Sequence, residues 1–278
     1  MEIISTVSVL RERLEHEADV AFVPTIGNLH EGHLVLVRMA KQHAKCVVVS
    51  IFVNPLQFGP NEDMDKYPRT LAEDCSKLRQ AGASVVFTPT EAVLFPIAQQ
   101  VTVEPPPIAD TLCGAFRPGH FRGVVTIVLK LINIVQPKVA IFGKKDYQQL
   151  HLIRTMVNQL NVPVEIVSGE TERAPDGLAL SSRNGYLQSD ERTVAVRLVN
   201  NLQQIRQALL AGEQNYPAME AQARADLEVH GWRVDYVAIR AQQTLDMPQP
   251  GQKALVVLAA AWLGQTRLID NLEVLVPG

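Results

Sequence analysis

Residues 20–44 read VAFVPTIGNLHEGHLVLVRMAKQHA, and this stretch decides the fold. Val20 to Pro24 is a short apolar run, Thr25 to His33 is a glycine-bearing loop, and Leu34 to Ala44 has helical spacing at Leu34, Val37, Arg38 and Lys41. That order is strand, loop, helix. Cys46 to Val53 (CVVVSIFV) follows as a nearly continuous β-branched run, as expected of a strand buried on both faces of a parallel sheet. One βαβ unit closes there.

The alternation continues outward. Thr70 to Gly82 opens on Thr70-x-x-Glu73, the pattern of a capping box, and ends on a glycine stop before a strand over Ser84 to Thr88. The consecutive prolines Pro105, Pro106 and Pro107 exclude regular structure, whereas Gly123 to Val135 is apolar on several helical faces and should be buried. Lys138–Phe142 and Pro163–Val167 read as strands around a helix over Tyr147–Leu160. Together these units predict an α/β fold, a doubly wound, Rossmann-like parallel sheet of five or six strands over residues 1–174. Residues 175–278 predict a smaller C-terminal α+β domain, with one long helix over Ser189–Ala211, a second over Ala218–His230, and strands over Trp232–Ile239, Leu255–Trp262 and Thr266–Leu275.

Composition narrows the function classes. The 278 residues are 47% hydrophobic and 20% charged, which excludes a disordered tail or a collagen repeat. Twenty-six Lys and Arg against 29 Asp and Glu give a net charge of −3, so bulk electrostatics draw in neither nucleic acid nor an anionic membrane. Any anion must be recognised locally. Cys46, Cys75 and Cys113 lack paired spacing, so neither a disulfide framework nor a zinc site is readable. The N-terminus has no signal-peptide pattern, and the longest apolar stretch, Ala254–Leu263, is about half of the roughly 20 residues a membrane span needs. A cytoplasmic location is expected.

His30 and His33 flank Gly32 where an open parallel sheet binds ligands, at the carboxyl end of its first strand. Both imidazoles can face one side of an emerging helical turn, whose unpaired amides favour phosphate oxygens. A solvated polar loop is the plainer reading of those four residues alone. HEGH is not HExxH, which disfavours zinc. Gly143-Lys144-Lys145-Asp146 forms a second glycine-containing loop at the same sheet edge: the lysine offers a point charge and the aspartate a ribose acceptor or a helix cap. Leu180-Ser181-Ser182-Arg183-Asn184 and Arg117-Pro118-Gly119-His120 are further polar turns, and Gln57 and Gln149 are neutral donors near strand ends. Neither loop is a P-loop or a GxGxxG cradle.

Five strings, PTIGNLHEGH, SIFVNPLQF, RPGHFRGVVTIVLKLINIVQP, GKKDYQQL and DGLALSSRN, stand in order along the chain. In that order they resemble the pantothenate synthetases (pantoate–β-alanine ligases) of the HxGH nucleotidyl-transferase superfamily. The resemblance implies ATP-dependent condensation of pantoate with β-alanine, through a pantoyl adenylate, to give pantothenate, AMP and pyrophosphate. It implies Mg²⁺, a homodimer, and no nucleic-acid or membrane partner. Carried over residue by residue, His33, His30, Lys145 and Arg183 would be catalytic. Ile26, Gly27, Asn28, Leu29, His30, Glu31, Gly32, His33, Gly143, Lys144, Lys145, Asp146, Glu172, Leu180, Ser181, Ser182 and Arg183 would contact ATP. Gln57 and Gln149 would hold pantoate, with Tyr67 sealing that end. The magnesium ligands are not implied, and Asp74 is only a candidate for that neighbourhood.

Competing readings are a nucleotidylyltransferase acting on another small acid or phosphate acceptor, an aminoacyl-tRNA synthetase fragment, and a non-catalytic nucleotide sensor. The paired glutamines in place of an arginine cradle weigh against the first, and the missing KMSKS string against the second. Ile26, Lys144 and Glu172 depart from the family's usual residues. Glu172 is expected to offer adenine only its backbone, its carboxylate turned to solvent. Ile26 keeps an apolar wall but is stiffer than the usual methionine. Ile26→Met should therefore shift the Michaelis constant for pantoate modestly; steady-state kinetics showing no shift would contradict this.

Overall fold

The computed structural model describes residues 1–60 and 62–277. The chain runs β1 (Glu2–Ile4), α1 (Val7–Leu14), β2 (Val20–Thr25), α2 (Glu31–His43), β3 (Cys46–Ile51), α3 (Leu71–Ala81), β4 (Val85–Phe87), α4 (Glu91–Leu94), α5 (Cys113–Phe116), α6 (His120–Val135), β5 (Val139–Gly143), α7 (Tyr147–Gln159) and β6 (Glu165–Gly169). It continues through α8 (Ser189–Val194), α9 (Arg197–Leu210), α10 (Tyr216–Val229), β7 (Trp232–Ala241), β8 (Ala254–Leu263) and β9 (Thr266–Leu275).

Compactness divides the chain into two units, each drawn from separate stretches. The first comprises Met1–Ala109, Arg117–Lys144 and Leu152–Glu170. It holds a six-stranded sheet in the order β1-β4-β3-β2-β5-β6, every pairing parallel. Ala21, Phe22, Val23, Val47, Val48 and Val49 are fully buried, because helices cover both faces of a parallel sheet and leave its central strands no wet side. From β2 the chain crosses by α2 to β3 on one side, while β5 lies on the other. This is a strand-order switch point, the place in an open parallel sheet where ligands generally bind.

The second unit comprises Asp110–Phe116, Lys145–His151 and Thr171–Gly278. Its antiparallel sheet β7-β8-β9 has two differently used faces. Leu255, Val257, Ala259 and Ala261 of β8, with Leu268 and Val274 of β9, pack on Leu198, Leu202, Ile205, Ala223 and Leu227 of α9 and α10. Strand alternation turns Arg267, Asn271 and Glu273 to the opposite face. There Arg267 reaches Cys113, Asn271 bonds the Lys145 carbonyl and Glu273 takes the Tyr147 hydroxyl. Those contacts tie residues 110–116 and 145–151 into this unit.

Three local readings change. The helix expected over Ser189–Ala211 is two, because Leu198 N–H bonds Ala195 C=O in one tightened turn that offsets α9 from α8. Helix α2 starts at Glu31 rather than Leu34, with His30 as its N-cap. Thr70 makes no capping bond; its hydroxyl donates to Asp74, and Glu73 pairs with Lys77 instead.

Gly123 in α6 lets a neighbouring turn approach closely. A Cβ there would lie 2.0 Å from the Leu56 carbonyl oxygen and 2.8 Å from the Gln57 nitrogen, both backbone atoms. Gly185 has open space around it. Gly123→Ala should cost about 1–3 kcal/mol or more, and Gly185→Ala within about 0.5 kcal/mol of nothing. Equal denaturation midpoints for the two variants would contradict this packing.

Candidate active site

The loop after β2 turns through two consecutive left-handed residues, Gly27 (φ +84°) and Asn28 (φ +52°). Such backbone is costly for any residue but glycine, so something must hold it. The holder is α3. The buried Asp74 carboxylate accepts from Asn28 N–H at 2.9 Å and Leu29 N–H at 2.8 Å, and the Lys77 ammonium donates to the Leu29 carbonyl at 2.8 Å. The buried Tyr67 hydroxyl donates to the Gly27 carbonyl at 3.3 Å. Both Asp74 oxygens are thus engaged by the loop, a role that its position in the sequence did not suggest.

Where this turn enters α2, His30 and His33 cap the helix reciprocally. His33 Nδ1 accepts the His30 backbone N–H at 3.3 Å, and His30 Nδ1 accepts the Gly32 N–H at 3.2 Å. The ring centroids lie 4.1 Å apart, with the ring planes tilted by 39°. An Nδ1 that accepts carries no proton, so each neutral ring holds its proton on Nε2. The pair therefore offers two Nε2–H donors at a helix N-terminus, a place suited to an anion. Glu31 turns to Arg38 in a surface ion pair.

Gln57 ends a 3-10 turn, Pro55–Gln57, and is fixed from two directions. Asn54 Nδ2 donates to the Gln57 side-chain oxygen at 3.3 Å and to the Gly123 carbonyl at 3.2 Å. The His120 ring bonds the Gln57 carbonyl through Nδ1 at 2.8 Å, and Arg117 donates to His120 Nε2 at 2.9 Å. Since Arg117 can only donate, His120 Nε2 accepts and its Nδ1–H is the donor to Gln57. Arg117 is itself held in a fork by the Glu62 carboxylate. The RPGH string is thus a support for Gln57, and Asn54, placed before a proline at a turn, was the legible signal.

Ile26, Gly27, Asn28, Leu29, His30, Glu31, Gly32, His33, Gln57, Gly143 and Lys144 belong to the first unit. Because β2 and β5 are hydrogen-bonded neighbours, the histidine loop and the Gly143 loop leave adjacent strands at one sheet edge. Lys144 pairs with Glu170 at 2.6 Å. Lys145, Asp146, Gln149, Glu172, Leu180, Ser181, Ser182 and Arg183 belong to the second unit. The Glu172 carbonyl accepts from Leu180 N–H at 2.8 Å, and Ser181 caps the turn Ser182–Tyr186 by accepting from Arg183 N–H at 3.2 Å. Asn184 donates to the Ala179 carbonyl, and its buried side-chain oxygen has no hydrogen-bond partner among the described residues. Among the described residues no group of three His, Cys, Asp or Glu side chains is placed to hold a metal ion.

The sequence profile of the pantoate–β-alanine ligase family matches residues 2–273. The chain is 57% identical over 277 residues, all of both chains, to the pantothenate synthetase of Nitrosomonas europaea, and 60% identical over 275 residues, 99% of both, to that of Chromobacterium violaceum. Its structure is similar to the crystal structure of the pantothenate synthetase from Thermus thermophilus, with TM-score 0.95 and 42% identity over all of both chains. It is also similar to the Francisella tularensis pantoate–β-alanine ligase complexed with β-γ ATP and β-alanine, with TM-score 0.81 and 31% identity over 98% of this chain and 97% of that one.

Asp74→Asn tests the support of the histidine loop. The isosteric amide turns an NH₂ toward one of the two backbone N–H groups and removes a charged acceptor, so stability should fall by about 1.5–3 kcal/mol. An unchanged urea midpoint would contradict the clamp.

Proposed function

The chain belongs to the pantoate–β-alanine ligase family, and we propose from that premise that it condenses pantoate with β-alanine at the expense of ATP, giving pantothenate, AMP and pyrophosphate. The observation that carries the site assignment is the reciprocal His30–His33 cap at the sheet's switch point. In the first step a pantoate carboxylate oxygen attacks the α-phosphorus of ATP, the bond to the bridging oxygen breaks, and pyrophosphate leaves. In the second the β-alanine nitrogen attacks the acyl carbon of the pantoyl adenylate, the carbon–oxygen bond to phosphate breaks, the amine loses its proton and AMP leaves. The protein need not supply a nucleophile; its task is to place reactants and stabilise charge moving onto phosphate oxygens.

His30 and His33 donate from Nε2 to phosphate oxygens, with the backbone of Ile26 to Leu29, Glu31 and Gly32 forming the rest of that cradle. Lys145, Ser181, Ser182 and Arg183 hold the polyphosphate and the departing pyrophosphate. Gly143, Lys144 and Asp146 serve ribose and adenine, and Glu172 and Leu180 offer backbone to adenine. Gln57 and Gln149 bind pantoate, and Gln57 also lies toward the incoming amine. Mg²⁺ fits as an ion carried in on the phosphates, which is how it commonly binds where few carboxylates are offered, and it would neutralise charge on the triphosphate. A homodimer follows from the family reading. Among the described residues no helix is long and apolar enough to cross a membrane.

Pyrophosphate should be released from ATP when pantoate alone is added, and AMP should accumulate once β-alanine follows. His33→Ala and Lys145→Ala should each lower turnover by about a hundredfold or more. Full turnover in both variants would overturn the site assignment.

A further inference from the structure

Lys145 reaches its place through the last strand of the chain. The Asn271 side-chain amide on β9 is buried and donates to the Lys145 backbone carbonyl at 2.8 Å. Two residues on, and so on the same face of the strand, Glu273 accepts from the Tyr147 hydroxyl at 2.7 Å. One residue before, on the other face, the buried Asp270 carboxylate takes both terminal nitrogens of Arg173, at 2.7 and 2.8 Å. Arg173 also donates to the Gly177 carbonyl at 2.9 Å and bridges to Ala179, holding the hairpin that leads into Ser181, Ser182 and Arg183. One strand therefore grips two separate polar turns, one by each face.

The turn needs such a grip. Lys144–Asp146 is a short 3-10 turn, and a turn of that length has few hydrogen bonds of its own. A lysine on a flexible four-carbon stem finds a phosphate only as well as its backbone is placed. Asn271 fixes that backbone at the carbonyl of the lysine itself.

We infer that Asn271 is a positioning residue for the reaction, setting the Lys145 ammonium through the Lys145 carbonyl, with the Arg173–Asp270 pair doing the same for the serine–arginine turn. This rests on the assignment of Lys145 to the phosphates. Asn271 touches no substrate, and its influence ends where the lysine side chain ends.

A double-mutant cycle reads this directly. Single-turnover pyrophosphate release should fall about ten- to a hundredfold in Asn271→Ala. In a Lys145→Ala background the same change should alter the rate by less than about twofold, because there is no ammonium left to misplace. A general loss of structure would multiply the two losses instead, and that result would overturn the inference. Asn271→Asp, which keeps the volume but turns an oxygen toward the carbonyl, should match Asn271→Ala in both backgrounds and serves if the alanine variant folds poorly. A neutral Asn271→Ala beside an impaired Lys145→Ala overturns the inference alone. A Lys145→Ala variant with the wild-type rate overturns the lysine assignment and the inference with it.

Discussion

Two backbone amides at the start of α2 each find an imidazole Nδ1 as acceptor, and the chemistry proposed for the site depends on that exchange. An imidazole has one proton and two nitrogens when neutral, so a bond accepted at Nδ1 decides what Nε2 can do. Helix capping and tautomer selection are therefore one event. The usual capping residues have short oxygen-bearing side chains; here histidines fill both ends of the box and keep a donor on the far edge of each ring. The four-residue spacing of HEGH is what permits it, because it places the two histidines at the N-cap and the third helical position.

The surrounding structure fixes the atoms that make this exchange possible. Asp74 and Lys77 bind the amides and the carbonyl of the left-handed turn, and Tyr67 binds Gly27. A comparable logic applies to Gln57, whose side chain is bonded by Asn54 and whose carbonyl is bonded by His120. In both places a residue proposed to touch substrate is held by neighbours that do not, as preorganised catalysis requires.

Much of this was legible in residues 20–58 and 117–150. The β-branched run at 46–51 and the helical spacing after His33 announce the parallel sheet, and the ordered strings indicate the family. The sheet order could not be read, because periodicity describes one element at a time and says nothing of which strand lies beside which. The break at Ala195 was invisible for a related reason: both halves keep helical spacing, and only a single tightened turn parts them. Asp74 could be read only as a candidate for the magnesium neighbourhood, because the amides that bind it lie more than 40 residues away in sequence. Asn271 and Asp270 sit in a strand with no motif around them. Their partners Lys145 and Arg173 are 126 and 97 residues distant, so no local pattern could join them.

The tautomer of His30 and His33 can be observed directly. In ¹⁵N-labelled protein at neutral pH, long-range nitrogen–proton correlation spectra should show each ring with an unprotonated Nδ1 and a protonated Nε2, and a non-hydrolysable ATP analogue should shift both Nε2 signals. An Nδ1–H form in either ring, or Nε2 signals indifferent to the nucleotide, would contradict the account.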